Sequence, residues 1–332
     1  MKKVVKIVSV MLVLVLALSF GACSQKGEDN KKAEKTDMNV YVLTGPTGIG
    51  AVNMWSASEN GEGLENYKFN AVAAPDEVVA KISNGEADIA AIATNLAAKL
   101  YKKTDGGIKI IAVNTLGVLN VLDNTGADIK TLSDLKGRKI VTTGQGANPE
   151  YIVRYLLREN GLEEGKDFTI EFKAEGTELV SVWATEPDAV IIAPQPVATS
   201  VTMKYEGSRI VLDLTNEWRA VNPDSELMMG CVVVRKAFLE EHPSAVENFM
   251  KDYEASVKAA NEKVADTAAL CEKYGIVPKS AIAAKAIPYC NICYVTGETM
   301  KTSLTGYFEV LLDADKTSIG GSLPDDGFWY IK

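Results

Sequence analysis

Short apolar runs alternate with amphipathic stretches along the chain, and the alternation comes twice in the same form. Val40-Tyr41-Val42-Leu43 is a β-rich run that stops at Thr44-Gly45-Pro46-Thr47-Gly48-Ile49-Gly50, where a pattern of helical period begins. Lys139-Ile140-Val141-Thr142 is a second such run. It stops at Thr143-Gly144-Gln145-Gly146-Ala147-Asn148-Pro149, and the pattern then predicts a helix from Glu150 to Glu159. Each copy continues with a strand, a helix and another strand: Glu77–Ala80 leads to Asp88–Ala93, and Glu178–Ser181 leads to Asp188–Ala193. Thr44 lies 44 residues before Asp88, and Thr143 lies 45 before Asp188. Strands that alternate with helices predict βαβ units and a mostly parallel sheet, and two copies predict two similar α/β lobes.

Between the copies, Ile108–Val113 and Val118–Leu122 read as extended segments that leave one lobe for the other. Met228–Val234 is a later apolar strand; its return to the first lobe makes two crossings, which together form a hinge. Beyond it the pattern is helical. Ala237–Glu262 is interrupted only at Pro243, a residue that suits a helix start. These C-terminal helices are expected to complete the first lobe, so 38–117 and 231–332 form lobe I and 118–230 forms lobe II.

The N-terminus has another character. Three lysines precede an almost wholly apolar run from Ile7 to Phe20, the layout of a secretory signal peptide over residues 1–22. The run is shorter than the ~20 residues that span a bilayer. Cys23 follows Ser19-Phe20-Gly21-Ala22, which resembles a bacterial lipobox, although Phe20 stands where Leu is preferred. Residues 23–37 are charged and polar with few large apolar residues, and read as a flexible tether. The chain is therefore expected to be exported and lipid-anchored through Cys23 on the outer face of the cytoplasmic membrane, or periplasmic. Its 332 residues carry a formal charge of −9; loss of the lysine-rich leader makes the mature chain more acidic, which excludes a nucleic-acid partner.

Chemistry is restricted by composition. His242 is the one histidine, so a His-based triad or a multi-His metal site is nearly excluded. Cys290-x-x-Cys293 has no second pair to close a zinc shell and sits in the apolar segment 287–295, so these two read as buried, inert thiols; Cys231 and Cys271 carry no assigned role. No metal and no cofactor is expected. The two glycine-rich turns stand out instead. In an open α/β sheet, ligands bind beyond the C-terminal ends of the strands, where helix starts offer unpaired N–H groups. Glycine permits close approach, and Thr44, Thr47 and Asn148 add side-chain donors. Neither turn matches the phosphate loop. Trp183, on a helix, reads as core.

Several stretches are familiar together: Thr44-Gly45-Pro46-Thr47-Gly48, Asn84-Gly85-Glu86-Ala87-Asp88, Leu132-Ser133-Asp134-Leu135-Lys136-Gly137-Arg138, and Ser318-Ile319-Gly320-Gly321-Ser322-Leu323-Pro324-Asp325-Asp326. Through them the chain resembles substrate-binding lipoproteins of bacterial ABC importers, in the branch of the aliphatic-sulfonate, nitrate and taurine binders and the NMT1/THI5-like proteins. The resemblance implies a two-lobed periplasmic-binding-protein-like (type II) α/β fold with a two-crossing hinge and a helical C-terminal extension. It places the cleft on Thr44, Gly45, Pro46, Thr47 and Gly48, on Thr94 and Asn95, on Thr115, and on Gly144, Gln145, Gly146, Ala147 and Asn148. Where the family often has Glu-Pro, this chain has Gln195-Pro196, which makes the cleft less negative. The implied role is non-catalytic: a monomer that captures a small polar or anionic solute and delivers it to an ABC permease and its ATPase. The alternatives are a ligand-sensing surface lipoprotein and an enzyme of the THI5 type.

Replacing Cys23 with Ser is expected to move the protein from the membrane fraction to the soluble or secreted one. An unaltered membrane fraction, with no acyl mass on the wild-type chain, contradicts the anchor.

Overall fold

A computed structural model describes residues 34–332. The signal peptide, Cys23 and most of the expected tether lie outside the described residues. In chain order the first elements are β1 (Asp37–Leu43), α1 (Pro46–Ile49), α2 (Val52–Glu59), β2 (Asn66–Val72), α3 (Pro75–Ser83), β3 (Ile89–Ala93), α4 (Thr94–Lys103) and β4 (Ile108–Thr115). Then follow β5 (Leu119–Asp123), β6 (Arg138–Thr143), α5 (Asn148–Glu159), β7 (Phe168–Lys173), α6 (Gly176–Leu179), β8 (Val190–Pro194), α7 (Val197–Lys204), β9 (Arg209–Asp213) and α8 (Leu214–Val221). The last are β10 (Gly230–Arg235), α9 (Lys236–Glu241), α10 (Pro243–Glu262), α11 (Val264–Lys273), α12 (Ser280–Ala286), β11 (Ile292–Val295) and α13 (Gly297–Ala314).

The strands form two sheets, in the orders β11-β4-β10-β3-β1-β2 and β7-β6-β8-β5-β9. The repeat is visible in both: β2-β1-β3 and β7-β6-β8 are parallel triplets built from equivalent βαβ units. Strands such as Ile89–Ala93 and Val190–Pro194 are covered on both faces and so read as continuous apolar runs. Each triplet then receives one antiparallel strand delivered by a crossing, β5 beside β8 and β10 beside β3. The crossings are residues 116–118 and 222–229.

Register decides where the crossings lie. Gly230 is paired with both Ala93 and Thr115, and Leu119 with Pro194. The C-terminal ends of β1, β3, β6 and β8 therefore all lie at the crossing ends of their sheets, and the two glycine turns follow β1 and β6 there.

Three apolar layers bury the sheets. Met38, Val40 and Val42 of β1 pack with Phe249, Tyr253 and Val257 of α10 on one face of the first sheet. Leu179, Val182 and Trp183 pack on one face of the second. The third layer is shared: it runs from Val78 and Ile92 in the first lobe to Ile140, Ile152 and Trp218 in the second, through Met300, Leu304, Tyr307 and Phe308 of α13. The sequence pattern assigns the C-terminal helices to the first lobe, but α13 lies against both. Gly306 makes this possible, because a Cβ there would sit 2.8 Å from Ser225 Cβ on the return crossing. The described end of the expected tether is also held: Thr36 N–H donates to Glu65 Oε2 at 2.6 Å, and its carbonyl accepts from Asn66 N–H at 3.0 Å. Glu65, just before edge strand β2, and Asn66, its first residue, supply these partners.

Gly117 sits where the first crossing is tightest. A Cβ on it would lie 2.3 Å from Thr215 Oγ1 and 2.7 Å from Leu227 Cδ2. Gly117→Ala is expected to cost about 1–3 kcal/mol through overpacking, and Thr215→Ala in the same chain should restore part of it. Melting curves of the two variants check this; an unchanged melting temperature for the single variant would show that the crossings are not packed against each other.

Candidate ligand-binding site

The first turn is short. Gly45 adopts φ 85°, ψ −157°, a region closed to side chains, and Pro46 opens the four-residue α1. Most of its amides are already committed: Thr44 N–H donates to Val72 O at 2.9 Å, Gly45 N–H to Ile276 O at 2.8 Å, Gly48 N–H to Gly45 O at 3.0 Å, and Pro46 has none. Gly48 is a packing residue, since a Cβ would meet Leu43 O at 2.5 Å. The turn thus offers side chains more than backbone. The hydroxyls of Thr44 and Thr47 are half-buried and make no hydrogen bond to another described residue. The turn is steadied from behind by Asn114, whose Nδ2 donates to Thr47 O at 2.9 Å and to the buried Tyr253 hydroxyl at 2.8 Å.

After β3, Thr94 and Asn95 divide the work. Thr94 is fully buried; its Oγ1 donates to Met228 O at 2.7 Å and its N–H to Met229 O at 3.1 Å. It ties the return crossing to the first sheet. Asn95, one residue on, is half-buried with no hydrogen bond to another described residue. Thr115 is likewise buried, its Oγ1 donating to Asn114 Oδ1 at 3.1 Å.

The second turn is open. Gly144 and Gly146 take φ 82° and 70°, and Gln145, Gly146 and Ala147 are exposed. Asn148 begins α5 and is 6% exposed; its Nδ2 donates to the Tyr307 hydroxyl of α13 at 3.1 Å, while its Oδ1 has no partner. The buried Thr142 hydroxyl, just upstream on β6, is also unpartnered. Glu150 occupies the third position of α5 and folds back: its Oε2 accepts from Gly146 N–H at 2.6 Å and its Oε1 from Arg154 Nε at 2.7 Å. Arg154 is shared with Glu164. Tyr151 completes the wall, donating to Gly146 O at 3.1 Å and to Asp315 Oδ2 at 2.8 Å. Burial, followed by the Asp315 contact, pushes its hydroxyl up to about 12.

Gln195 is 2% exposed and spent internally: Nε2 donates to Asn120 Oδ1 at 2.9 Å, and Oε1 accepts from Thr199 Oγ1 at 2.8 Å. The structure thus sorts the expected residues. Thr44, Thr47, Asn95 and Gln145 keep open polar side chains at the crossing ends, whereas Thr94, Thr115 and Gln195 hold the scaffold. No hydrogen bond joins the two turns to each other among the described residues. Sequence reasoning missed Glu150, although a Glu three residues after the helix cap is a known signal. It also missed Tyr307, which reaches Asn148 from α13.

The thiols are shielded rather than remote: Cys293 Sγ lies 3.7 Å from Val113 O on β4. The Cys231 and Cys290 thiols are pushed up by burial, and those of Cys271 and Cys293 to about 12. Among the described residues no group of three or more His, Cys, Asp or Glu is placed to hold a metal, and no helix is long and apolar enough to cross a membrane. Trp183 is core, its Nε1 donating to Ala189 O at 2.7 Å. A cavity of about 660 Å³ lies between Tyr155, Asn222, Ser225 and α13, and another of about 450 Å³ between α7, β9 and α12. Neither is lined by a residue of either glycine turn.

A family model described as "NMT1/THI5 like" matches residues 60–265, more than half of the chain, and the chain belongs to that family. No curated protein matches the sequence. Among solved structures, an ABC transporter protein from Parabacteroides distasonis is 24% identical with a TM-score of 0.74, covering 90% of this chain and 100% of that one. The periplasmic aliphatic sulphonate binding protein of Escherichia coli is 13% identical with a TM-score of 0.64, covering 87% and 92%. The periplasmic nitrate-binding protein of Synechocystis is 12% identical with a TM-score of 0.53, covering 76% and 69%. At these identities the likeness is one of fold: two α/β lobes of the periplasmic-binding-protein type.

Proposed function

We propose that this member of the NMT1/THI5-like family is the extracytoplasmic solute-binding component of an ABC importer. It takes a small polar solute between its lobes and hands it to a permease. The observation that carries the reading is the mirrored placement of the two glycine turns, each at the crossing end of its own copy of the duplicated sheet, with Thr44, Thr47, Asn95 and Gln145 open there. The fold relatives named for sulphonate and nitrate support both the role and the size of the solute. The lobes are 38–117 with 231–332 and 118–230, with α13 shared between them, and the chain acts as an exported, lipid-anchored monomer. A catalytic role has little to work with. His242 sits between α9 and α10 with its ring 4.9 Å from that of Phe238, and the raised thiols are poor nucleophiles.

The test begins with native mass spectrometry of the purified protein to identify the solute it retains. The glycines are unsuited to substitution, because Gly45 and Gly144 have positive φ and a Cβ on Gly144 would meet Pro149 Cγ at 2.8 Å. The open side chains serve better. Thr44→Val and Asn95→Ala should each weaken binding of the retained solute about tenfold, the worth of one good hydrogen bond, while the melting temperature of the solute-free protein stays put. Wild-type affinity in both variants would remove the crossing ends as the binding site.

A further inference from the structure

The carboxylate on the second turn bears on what the cleft accepts. The start of α5, a twelve-residue helix, carries the partial positive charge that attracts anions to such sites. Here the attraction is met from within. Glu150 lies over the turn with a side chain only 14% exposed, anchored by the Gly146 N–H and by Arg154. Arg154 does not cancel it, because the same guanidinium is shared with Glu164. Asp315, held by Tyr151 on the other side of Gly146, adds a further carboxylate, with Lys99 the cation that acts on it. Glu150 and Asp315 thus flank the turn, and Arg154, which bonds Glu150, is drawn away by Glu164.

A second observation marks the same place as a contact point. Asn148 begins the helix, and whichever way its amide is turned, Tyr307 satisfies one polar atom and leaves the other without a protein partner. The loss of a carboxylate at Gln195 points, on sequence alone, to a cleft poor in negative charge. The structure restores that charge at Glu150, on the opposite glycine turn from Thr44.

We infer that Glu150 is a specificity-determining residue: it fills the anion position of the second turn, so that the cleft admits neutral or cationic solutes that hydrogen-bond to Asn148 and excludes oxyanions. This deepens the importer reading and rests on it. An oxyanion at the turn would have to displace the carboxylate or sit beside it. A neutral or cationic solute meets no such opposition.

Methanesulfonate and nitrate are the probes, titrated at constant ionic strength into the full-length protein and followed by calorimetry and thermal shift. Wild type should show neither heat nor stabilisation. Glu150→Gln keeps an acceptor for the Gly146 N–H but removes the charge, and Glu150→Ala opens the turn. Both should bind at least one of the anions, with affinity raised tenfold or more. Micromolar binding of either anion by wild type overturns the inference. So does failure of both variants to gain affinity, which would show that something other than Glu150 excludes anions. A retained solute that proves to be a sulfonate, phosphate or carboxylate also overturns it while leaving the importer reading intact. Wild-type binding in Thr44→Val and Asn95→Ala removes both.

Discussion

Two stretches of irregular backbone pass between the lobes, and where they are buried, at Gly117, Val118, Leu227 and Met228, their peptide groups need partners. Much of the structure follows from that constraint. Met229 N–H donates to Thr115 O at 3.0 Å, Gln195 N–H to Val118 O at 2.9 Å, and Leu116 N–H to Asn291 O at 3.1 Å. Asn291, at φ 47°, turns its Nδ2 onto Gly117 O at 2.7 Å and Thr215 Oγ1 at 3.2 Å. With Thr94 holding Met228 and Met229, the two crossings form one bonded unit rather than two independent strands.

The same constraint explains which parts of the site were legible in the sequence. The repeat was legible because parallel strands buried on both faces must be apolar, and because glycine turns of this kind punctuate them at fixed spacing. Val40–Leu43, Lys139–Thr142 and the two turns stand where the pattern puts them. What a Thr or Gln does at a strand end was not legible. Thr94, Thr115 and Gln195 look like ligand donors by type and position, but their polar atoms go to Met228, Asn114 and Asn120. Met228 lies 134 residues from Thr94 and Asn120 lies 75 from Gln195, so nothing local announces those two partners. Asp88 and Asp188 make the point in reverse. They are equivalent in the repeat, yet Asp88 is buried and bonded to Arg235 at 2.6 Å and to Asn39 N–H at 3.0 Å. Asp188 is exposed, and Arg138 reaches its backbone carbonyl instead.

Helix α13 adds a third tie. It leaves the first sheet after β11, lays Tyr307 against Trp218 and Asn148 of the second lobe, and the chain returns so that Trp329 bridges to Ile110. Helical periodicity gives the buried face of α13 but not the identity of what it covers, which is why its bridging position was not foreseen. The tie connects the start of α5, where a solute would touch Asn148, to the layer that both lobes share. Movement of one lobe toward the other must therefore carry α13 along or slide Tyr307 past Asn148.

The central claim is that a solute is held between lobes that close about the bonded crossings. Small-angle X-ray scattering of the protein stripped of its retained solute, and of the same sample after the solute is restored, tests it most directly. The account predicts a smaller radius of gyration and a shorter maximum dimension when the solute is bound. Superimposable curves at saturating solute would contradict it, because a ligand held between the lobes must draw them together.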